Sequence, residues 1–482
     1  MSLLALGLII MPNETNRNLL AELIPEALVS PTYQSGNWRF IIRFGDASGS
    51  DDNCFILNRA AVLSATDLLN AAQEHWQTSS VRFLAPGKRL TFYRRYRVQV
   101  FDLFPIYMRR SEIGRRRSYA VRPQSSQETR RVGELAVRAF YTAGLDVGSV
   151  DIGLSSGGKL YILGINTCPR MTRSIGVTYA KYIRSWIERM DVYWSKGTFS
   201  SLLNMKETKC PNYLLGADPE FALRDARTGR MVFASDYFPM QGLIGCDARR
   251  VKVGRSGYPL AEVRPRPTQC PLDLYEGIVG ALRRANSLVP NRHIEWRAGT
   301  LPFSKLPVGG HIHFGMLPTS GLLRALDSYL AVIFLLLENP AAARSRRRRY
   351  GWLGDHRLKT HGGFEYRVVP SWLVSPVFAR GALCLAKVIG CDWYRLHHDV
   401  FVNPEARSAF RRADQEYFRS ELAGLLLMIR SLPSYGSYAQ EIEAMLAYVE
   451  QNKRWKTSAN LRRSWRLLRR RRRSRASSQG LG

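Results

Sequence analysis

Apolar and polar positions in the first 195 residues alternate between strand-like and helical runs. The last run predicts a helix over 177–194, because four bulky apolar residues recur there at helical spacing, Ile183, Trp186, Ile187 and Met190. Residues 196–209 lack such a pattern and predict a linker. We therefore expect a first domain over 1–195 that mixes strands and helices.

The second part of the chain is richer in strands. Strand-like runs separated by Gly and Pro clusters dominate 210–395, with helices predicted over 272–287 and 321–338. Helical spacing returns in 396–452, whereas 453–482 shows no core pattern and predicts a disordered basic tail. This succession of elements predicts an α+β fold.

Composition narrows the class of protein. A chain of 482 residues with 45% hydrophobic content can bury several cores and should be globular. Its seven cysteines include no Cys-x-x-Cys pair, which argues against a disulfide framework and a zinc knuckle and favours the cytoplasm. The apolar run 329–337 is too short for a bilayer, so no membrane insertion is expected.

The net charge of +32 is extreme, and one tail does not explain it. The segment from Lys453 onwards contributes 12 of the Lys and Arg residues and no acid, and a second run contains Arg344 and residues 346–349. Such charge implies an anionic partner: nucleotide, acidic substrate, anionic polymer or nucleic acid. The alternative is a solvated basic face, and no signature of a nucleic-acid-binding module accompanies the charge.

One spacing recurs four times within about 150 residues. Chemically active side chains stand two apart, with a residue between them that can pack, in the pairs Asp218 and Glu220, Glu262 and Arg264, His311 and His313, and Glu365 and Arg367. Residues two apart on a strand share a face, so one face would meet a core and the other a cleft. Each pair alone is more typical of a solvated strand or a structural turn, but four pairs together indicate a site.

These residue types suit the joining of a carboxylate to an amine. The carboxylate has to be activated, commonly as an acyl phosphate, and the charge of the transferred phosphoryl group has to be stabilised by metal ions and guanidinium groups. Carboxylates with an occasional imidazole hold Mg²⁺ or Mn²⁺, and arginines bind phosphate with two hydrogen bonds.

Three segments carry a family resemblance. Residues 216–225 (GADPEFALRD) resemble the first active-site strand of glutamine synthetase, 309–315 (GGHIHFG) its glycine-histidine segment, and 364–370 (FEYRVVP) its late Glu-x-Arg strand. In this order they look most like the phiEco32-like amidoligases of type 2, within the carboxylate-amine ligase superfamily of glutamine synthetase and glutamate-cysteine ligase. The resemblance covers 210–395 and implies a glutamine-synthetase-like antiparallel sheet.

The resemblance also implies roles for single residues. Asp218, His311 and Glu365 would hold one metal ion, Mg²⁺ or Mn²⁺, while Glu220 and Glu262 would help to hold another, with Asp247 as a further candidate. Arg367 would face the transferred phosphate of ATP. The remaining candidates are Arg264 as a phosphate clamp, Arg357 for nucleotide contact and His313 for the substrate cleft.

A second resemblance lies in the first domain. Residues 143–153 and 159–172 are similar to the closing strands of ATP-grasp ligases of the YheC/YheD type, in which Asp and Glu-x-Asn hold magnesium at ATP. Asp151 and Asn166 match this pattern, but Gly164 occupies the Glu position. Only 37 residues separate Asn58 from Tyr96, where the nucleotide-cradling subdomain would lie, with Lys88 among them. We expect a shortened, degenerate ATP-grasp-like domain.

Together these patterns predict an ATP-dependent carboxylate-amine ligase that forms an amide through an acyl phosphate. Its substrate would be a small molecule, peptide or polymer bearing a carboxylate, with an amine as acceptor, in the cytoplasm or associated with a spore. One alternative is a non-catalytic basic protein that binds nucleic acid or an anionic polymer. Another is ligation by the ATP-grasp-like domain.

Overall fold

The fold is taken from a computed structural model. The structure describes residues 7–36, 38–45, 55–58, 82–84, 90–115, 117–194, 213–303, 306–396 and 398–468. Strands, mostly in antiparallel sheets, and helices are both abundant, so the predicted α+β class is confirmed. The predicted linker 196–209 lies outside the described residues.

A parallel sheet opens the chain. Its strands lie in the order β2-β1-β3-β4, with β1 at Gly7–Ile10, β2 at Ala27–Ser30, β3 at Phe40–Arg43 and β4 at Phe55–Leu57. Helix α1 (Glu14–Leu23) begins at Asn13, whose side chain accepts a hydrogen bond from the Asn16 backbone N–H.

A five-stranded antiparallel sheet follows, in the order β7-β6-β5-β8-β9. Its strands are β5 at Phe92–Phe101, β6 at Phe104–Glu112, β7 at Tyr119–Val121, β8 at Val147–Ser155 and β9 at Leu160–Asn166. Helix α2 (Gln127–Thr142) packs on β5, β6 and β8 and begins with a capping box between Ser126 and Thr129. Helix α3 (Arg173–Trp194) contains the predicted apolar face: Ile183, Trp186 and Met190 are at most 2% exposed.

Two antiparallel sheets form the second half. The first has the order β10-β18-β20-β19, and the second the order β12-β11-β16-β13 with β17 also paired to β11. Their strands are β10 at Leu215–Ala217, β11 at Glu220–Asp225, β12 at Met231–Val232, β13 at Ile244–Cys246, β16 at Leu260–Val263, β17 at Ile294–Arg297, β18 at Ile312–Phe314, β19 at His356–Leu358 and β20 at Phe364–Tyr366. A hairpin of β14 (Val251–Val253) and β15 (Arg255–Gly257) stands apart.

The helices of the second half cover these sheets. They are α4 at Pro271–Leu288, α5 at Ser320–Leu326, α6 at Val332–Leu337, α7 at Pro340–Arg347, α8 at Pro376–Asp392, α9 at Pro404–Arg412, α10 at Gln415–Arg430, α11 at Ala439–Glu450 and α12 at Leu461–Ser464. A π-helical turn, Asp327–Ala331, joins α5 to α6. Residues Ser320–Leu337 are long and apolar enough to cross a membrane by length and composition alone, but 89% of this stretch is buried inside the protein.

Three expectations about arginines and cysteines need correction. Within the predicted disordered tail, Trp455, Leu461, Arg462 and Trp465 are buried, and Arg462 donates hydrogen bonds to three backbone carbonyls. Arg346 and Arg347, within the run expected to be solvated, are each 2% exposed. Cys391 is disulfide-bonded, whereas the thiols of Cys246, Cys270 and Cys384 form no disulfide.

The two halves share one continuous hydrophobic core. It extends from Ile9 in β1 to Trp465 near the end of the described chain. Polar contacts cross the same boundary: Arg324 on α5 forms an ion pair of 2.8 Å with the buried Asp146, and Tyr141 on α2 donates a hydrogen bond of 2.7 Å to Asp327. Side chains of both halves therefore contact each other along this boundary.

Candidate active site

The chain changes sheets at the first carboxylate pair. Strand β10 ends at Ala217 in one sheet, and β11 begins at Glu220 in the other, with Asp218 and Pro219 between them. The expectation that Asp218 and Glu220 share one face of a single strand is therefore wrong. Pro219 cannot donate a backbone hydrogen bond and stands where the two ladders separate. Both carboxylates nevertheless line the same cleft.

Strand register brings the other pairs to this point. His313 stands opposite Glu365 in β20 and Gly216 in β10, while Glu262 in β16 stands opposite Glu220. The residues within the four pairs pack as predicted: Val263, Ile312 and Tyr366 are fully buried, and Pro219 is also buried.

The first cluster joins two histidines to two carboxylates. Nδ1 of His311 lies 3.1 Å from Oδ1 of Asp218 and 3.4 Å from Oε1 of Glu365. Nε2 of His313 lies 3.0 Å from the same oxygen of Asp218. One ligand atom each of Asp218, His313 and Glu365 fall within 4.8 Å of one another, which is a spacing that a single metal ion can bridge.

A second cluster is built around Glu220. Arg249 pairs with Glu220 and with Asp247, and the backbone N–H of Gly309 donates a 2.8 Å hydrogen bond to Glu220. Glu262 pairs with Arg264, whose guanidinium also donates to the carbonyl of Cys246. These arginines balance two carboxylates that are otherwise buried.

The carboxylates of the cleft differ in the direction in which their pKa values are shifted. Burial alone would raise the pKa of Asp218, but hydrogen bonds and charge from His311 and His313 lower that pKa well below its usual range. Burial, reinforced by the charge of Asp218, raises the pKa of Glu262 to about 8 despite Arg264. Burial also raises the pKa of Glu220, against the charge of Arg249. Burial thus opposes the ionisation of Glu220 and Glu262, and a bound cation would favour their charged forms.

The donor set fits a divalent cation. Carboxylate oxygens with an imidazole suit Mg²⁺ or Mn²⁺. Nε2 of His313 is buried and lies 3.0 Å from Oδ1 of Asp218. A cation between Asp218, His313 and Glu365 would be within reach of this nitrogen and of both carboxylates.

The opposite wall of the cleft is cationic. Arg367 contacts Glu365 at 3.2 Å and Asp355 at 3.8 Å, Lys359 contacts Glu365 at 2.5 Å, and Arg357 lies 3.6 Å from Glu365 with its side chain 56% exposed. Arg346 donates to the carbonyls of Val368 and Val369 below them. Acids and bases together line a solvent-open cleft of about 820 Å³.

Most of the predicted site residues meet in this cleft. Its lining includes seven of them, Asp218, Glu220, Glu262, His311, Arg357, Glu365 and Arg367, and also the further candidate Asp247. Arg264 and His313 are not among the described lining residues: Arg264 binds Glu262 and loop carbonyls from behind, and His313 stands behind Asp218. His313 therefore belongs with the metal candidates and does not line the substrate cleft.

Sequence reasoning missed Arg249, Arg346, Tyr350 and Asp355 in the lining. Arg249 follows Asp247 at the same two-apart spacing, and this signal was available in the sequence. No such signal was present in the sequence for Arg346, because this residue lies in a run of arginines that is typical of a solvated surface.

Asp151 and Asn166 lie elsewhere, on β8 and β9. Asp151 stands opposite Gly164 and forms an ion pair of 2.8 Å with Arg97, and the side-chain oxygen of Asn166 accepts a hydrogen bond from the Cys168 backbone. Arg97 already neutralises the carboxylate that would hold magnesium. Residues 85–89, with Lys88, and most of the interval from Asn58 to Tyr96 lie outside the described residues.

Comparison with known proteins identifies the second half of the chain. The model of the family described as phage phiEco32-like COOH.NH2 ligase-type 2 matches residues 215–467, which is more than half of the chain. No curated protein matches the chain in sequence.

Solved structures give weaker similarities. The ATP-grasp ligase PsnB in complex with a minimal precursor has a TM-score of 0.26 at 13% identity, over 38% of this chain and 99% of that one. A bifunctional glutathione synthetase from Pasteurella multocida has a TM-score of 0.32 at 10% identity, over 53% and 49%. A glutamine synthase homolog has a TM-score of 0.27 at 13% identity, over 49% and 70%. These scores are too low to support an argument, so the ATP-grasp resemblance of the first half rests on its own motif and strands.

Proposed function

Because the chain belongs to the phage phiEco32-like COOH.NH2 ligases of type 2, and is thus an enzyme for ATP-dependent joining of a carboxylate to an amine, we propose that this reaction occurs in the cleft between β11 and β20. One observation carries the proposal. Carboxylates and imidazoles for cations and guanidinium groups for phosphate meet in one cleft, and every one of them lies inside the segment that the family matches.

The proposed reaction has two steps. A carboxylate oxygen of the substrate attacks the γ-phosphorus of ATP, which gives an acyl phosphate and ADP. The amine then attacks the acyl carbon, phosphate leaves with the bonding pair, and the amine loses a proton, so that an amide and inorganic phosphate are formed. No side chain acts as a covalent nucleophile, and catalysis rests on positioning and on charge.

The acidic and the basic residues of the cleft have different proposed roles in this reaction. Asp218, His313, His311 and Glu365 would hold one Mg²⁺ or Mn²⁺, and Glu220, Glu262 and Asp247 a second, with Arg249 and Arg264 orienting the carboxylates that they bind. Bound cations would offset the charge of the polyphosphate. Arg357, whose side chain is 56% exposed, and Arg367, which contacts Glu365 and Asp355, would turn towards the transferred phosphoryl group and bind it with paired hydrogen bonds.

Magnesium-dependent ADP release with pools of amino acids, peptides and amines tests this proposal. Glu365→Gln keeps the shape of the side chain but removes the charge shared with His311 and Arg367, so substrate-stimulated release should fall at least about 100-fold. Glu276→Gln, on the exposed surface of α4, is the matched control and should behave like the wild type. Equal release by Glu365→Gln and the control would reject this cleft as the site.

The same assay addresses ligation by the first half. In the first half, the carboxylate of Asp151 forms an ion pair of 2.8 Å with Arg97. Loss of ADP release in Asp151→Asn, with Glu365→Gln still active, would transfer the reaction to that half. ADP release from neither variant nor the wild type, under every pool and with either metal, would favour the basic binding protein.

A further inference from the structure

A second depression adjoins the proposed catalytic cleft at the boundary between the two halves. This groove of about 1510 Å³ shares Asp355, Arg357 and Arg367 with the cleft. One wall is helix α2 of the first half, with Arg130, Glu134 and Arg138, and the other is the segment from Trp352 to Leu358. These three shared residues place the two depressions side by side.

The two walls are held together in the structure. Asp327 accepts hydrogen bonds of 2.7 Å from the Tyr141 hydroxyl on α2 and from the backbone N–H of Gly354 on the opposite wall. The guanidinium of Arg138 stacks 5.0 Å from the ring centre of Trp352. Gly354 approaches Tyr141 so closely that an added Cβ would lie 2.3 Å from its ring. The groove is thus preformed, which lowers the entropy cost of binding.

The length of the groove argues for an extended ligand, because the groove runs along helix α2. Arg130 and Arg138 lie eight residues apart on α2, about 12 Å along the helix axis. An extended chain covers that length with about three or four residues.

The positive charge of the groove indicates which kind of ligand it binds. Four guanidinium groups line the groove, from Arg130, Arg138, Arg357 and Arg367, against two carboxylates, from Glu134 and Asp355. Asp355 is already paired with Arg367. A groove with this excess attracts an anionic chain, and its position beside the proposed carboxylate-activating cleft favours a chain that carries carboxylates.

We propose that this groove holds the acid substrate of the ligase as an extended chain of carboxylates, with Arg130 and Arg138 of the first half as specificity-determining residues. This inference rests on the proposed function and extends it. It also gives the first half a role that needs no ATP chemistry of its own: helix α2 provides half of the substrate site.

Binding of fluorescein-labelled deca-L-glutamate to the full chain, followed by fluorescence anisotropy at low salt, tests the groove. Arg130→Glu turns an attraction into a repulsion and should raise the Kd about three- to tenfold. Arg131→Glu changes the same charge at the next residue of α2, which is exposed but does not line the groove, and should change the Kd less than about twofold. Equal effects of the two substitutions, or no saturable binding by the wild type, would overturn the proposal.

Two further measurements, with oligo-dT and with Mg-ATP, test whether the groove binds other ligands. Oligo-dT of equal charge should displace deca-glutamate poorly, and displacement at equal concentration would mean a general polyanion surface. A loss of Mg-ATP affinity in Arg130→Glu, with unchanged deca-glutamate binding, would assign the groove to the nucleotide and overturn the proposal.

Parallel measurement of ADP release distinguishes the proposal about the groove from the proposal about the reaction. Selective binding without any release rejects the reaction, whereas release with equal binding by Arg130→Glu and wild type rejects the groove.

Discussion

At the scale of single residues, Asp327 connects three parts of the molecule. Its carboxylate accepts hydrogen bonds from Tyr141 in the first half, from Tyr366 beside Glu365 in the cleft and from the backbone of Gly354 in the groove wall. Burial raises the pKa of Asp327 to about 7, although these hydrogen bonds favour the ionised form. The side chain therefore titrates near neutral pH in the folded protein.

This pKa predicts a loss of stability at alkaline pH. An unfolded Asp has a pKa of about 3.9, so the folded state binds the proton more tightly; the stabilisation is complete below about pH 4 and is lost as the pH rises through about 7. From pH 6 to pH 8 the wild type should lose about 1.4 kcal/mol more free energy of unfolding than Asp327→Asn. Urea unfolding of both proteins at these pH values measures the difference, and an identical pH dependence would contradict it.

The two-apart spacing singled out the side chains that form the acidic wall of the cleft. Glu220, Glu262 and Glu365 stand on paired strands, whereas Asp218 and His311 lie just before β11 and β18. The cationic wall was less predictable. Arg249 and Arg346 come from a loop and from a helix end, and their neighbours in sequence do not reveal which arginine turns inwards.

At the scale of elements, helices were predicted more accurately than strands. The predicted helix 272–287 is Pro271–Leu288, because Pro at its start and an apolar stripe mark it in the sequence. Strands β10, β18 and β20 have only three residues each, so alternation alone could not tell that β10 and β11 belong to different sheets. The burial of Trp455, Leu461 and Trp465 was not predicted, because the many arginines around them leave no recognisable apolar pattern in the sequence.

The short helix α12 supplies a paired test of that anchor. Arg462 donates to the carbonyls of Val289, Asn291 and Ile294 and lies over the ring of Trp296. Arg462→Met removes the guanidinium donors of these three carbonyls, of which the Asn291 carbonyl keeps the Ile294 backbone N–H. The substitution should lower the free energy of unfolding by about 3–5 kcal/mol. Arg463→Met, on the exposed side of the same turn, should change it by less than about 0.5 kcal/mol. Chemical denaturation compares the two, and equal stabilities would mean that the segment is not anchored by Arg462.

At the scale of the whole molecule, the predicted boundary near residue 200 separates two parts of the sequence but does not divide the core. Hydrophobic residues of both halves form one cluster, and both halves line the groove beside the cleft. A domain that is predicted from sequence motifs need not be a unit that unfolds alone, because unfolding depends on which surfaces are buried together.

We therefore expect the two halves to unfold together, and Arg324 tests this. Its guanidinium binds Asp146, whose side chain is fully buried in the first half, so Arg324→Met leaves an uncompensated charge at the boundary and should cost about 3–5 kcal/mol. Calorimetry should show one transition for the wild type and one, at lower temperature, for the variant, with Arg283→Met on the exposed surface of α4 as the unchanged control. Two transitions, of which only one shifts, would mean that the halves unfold independently and that α2 is positioned over the cleft by a separable domain.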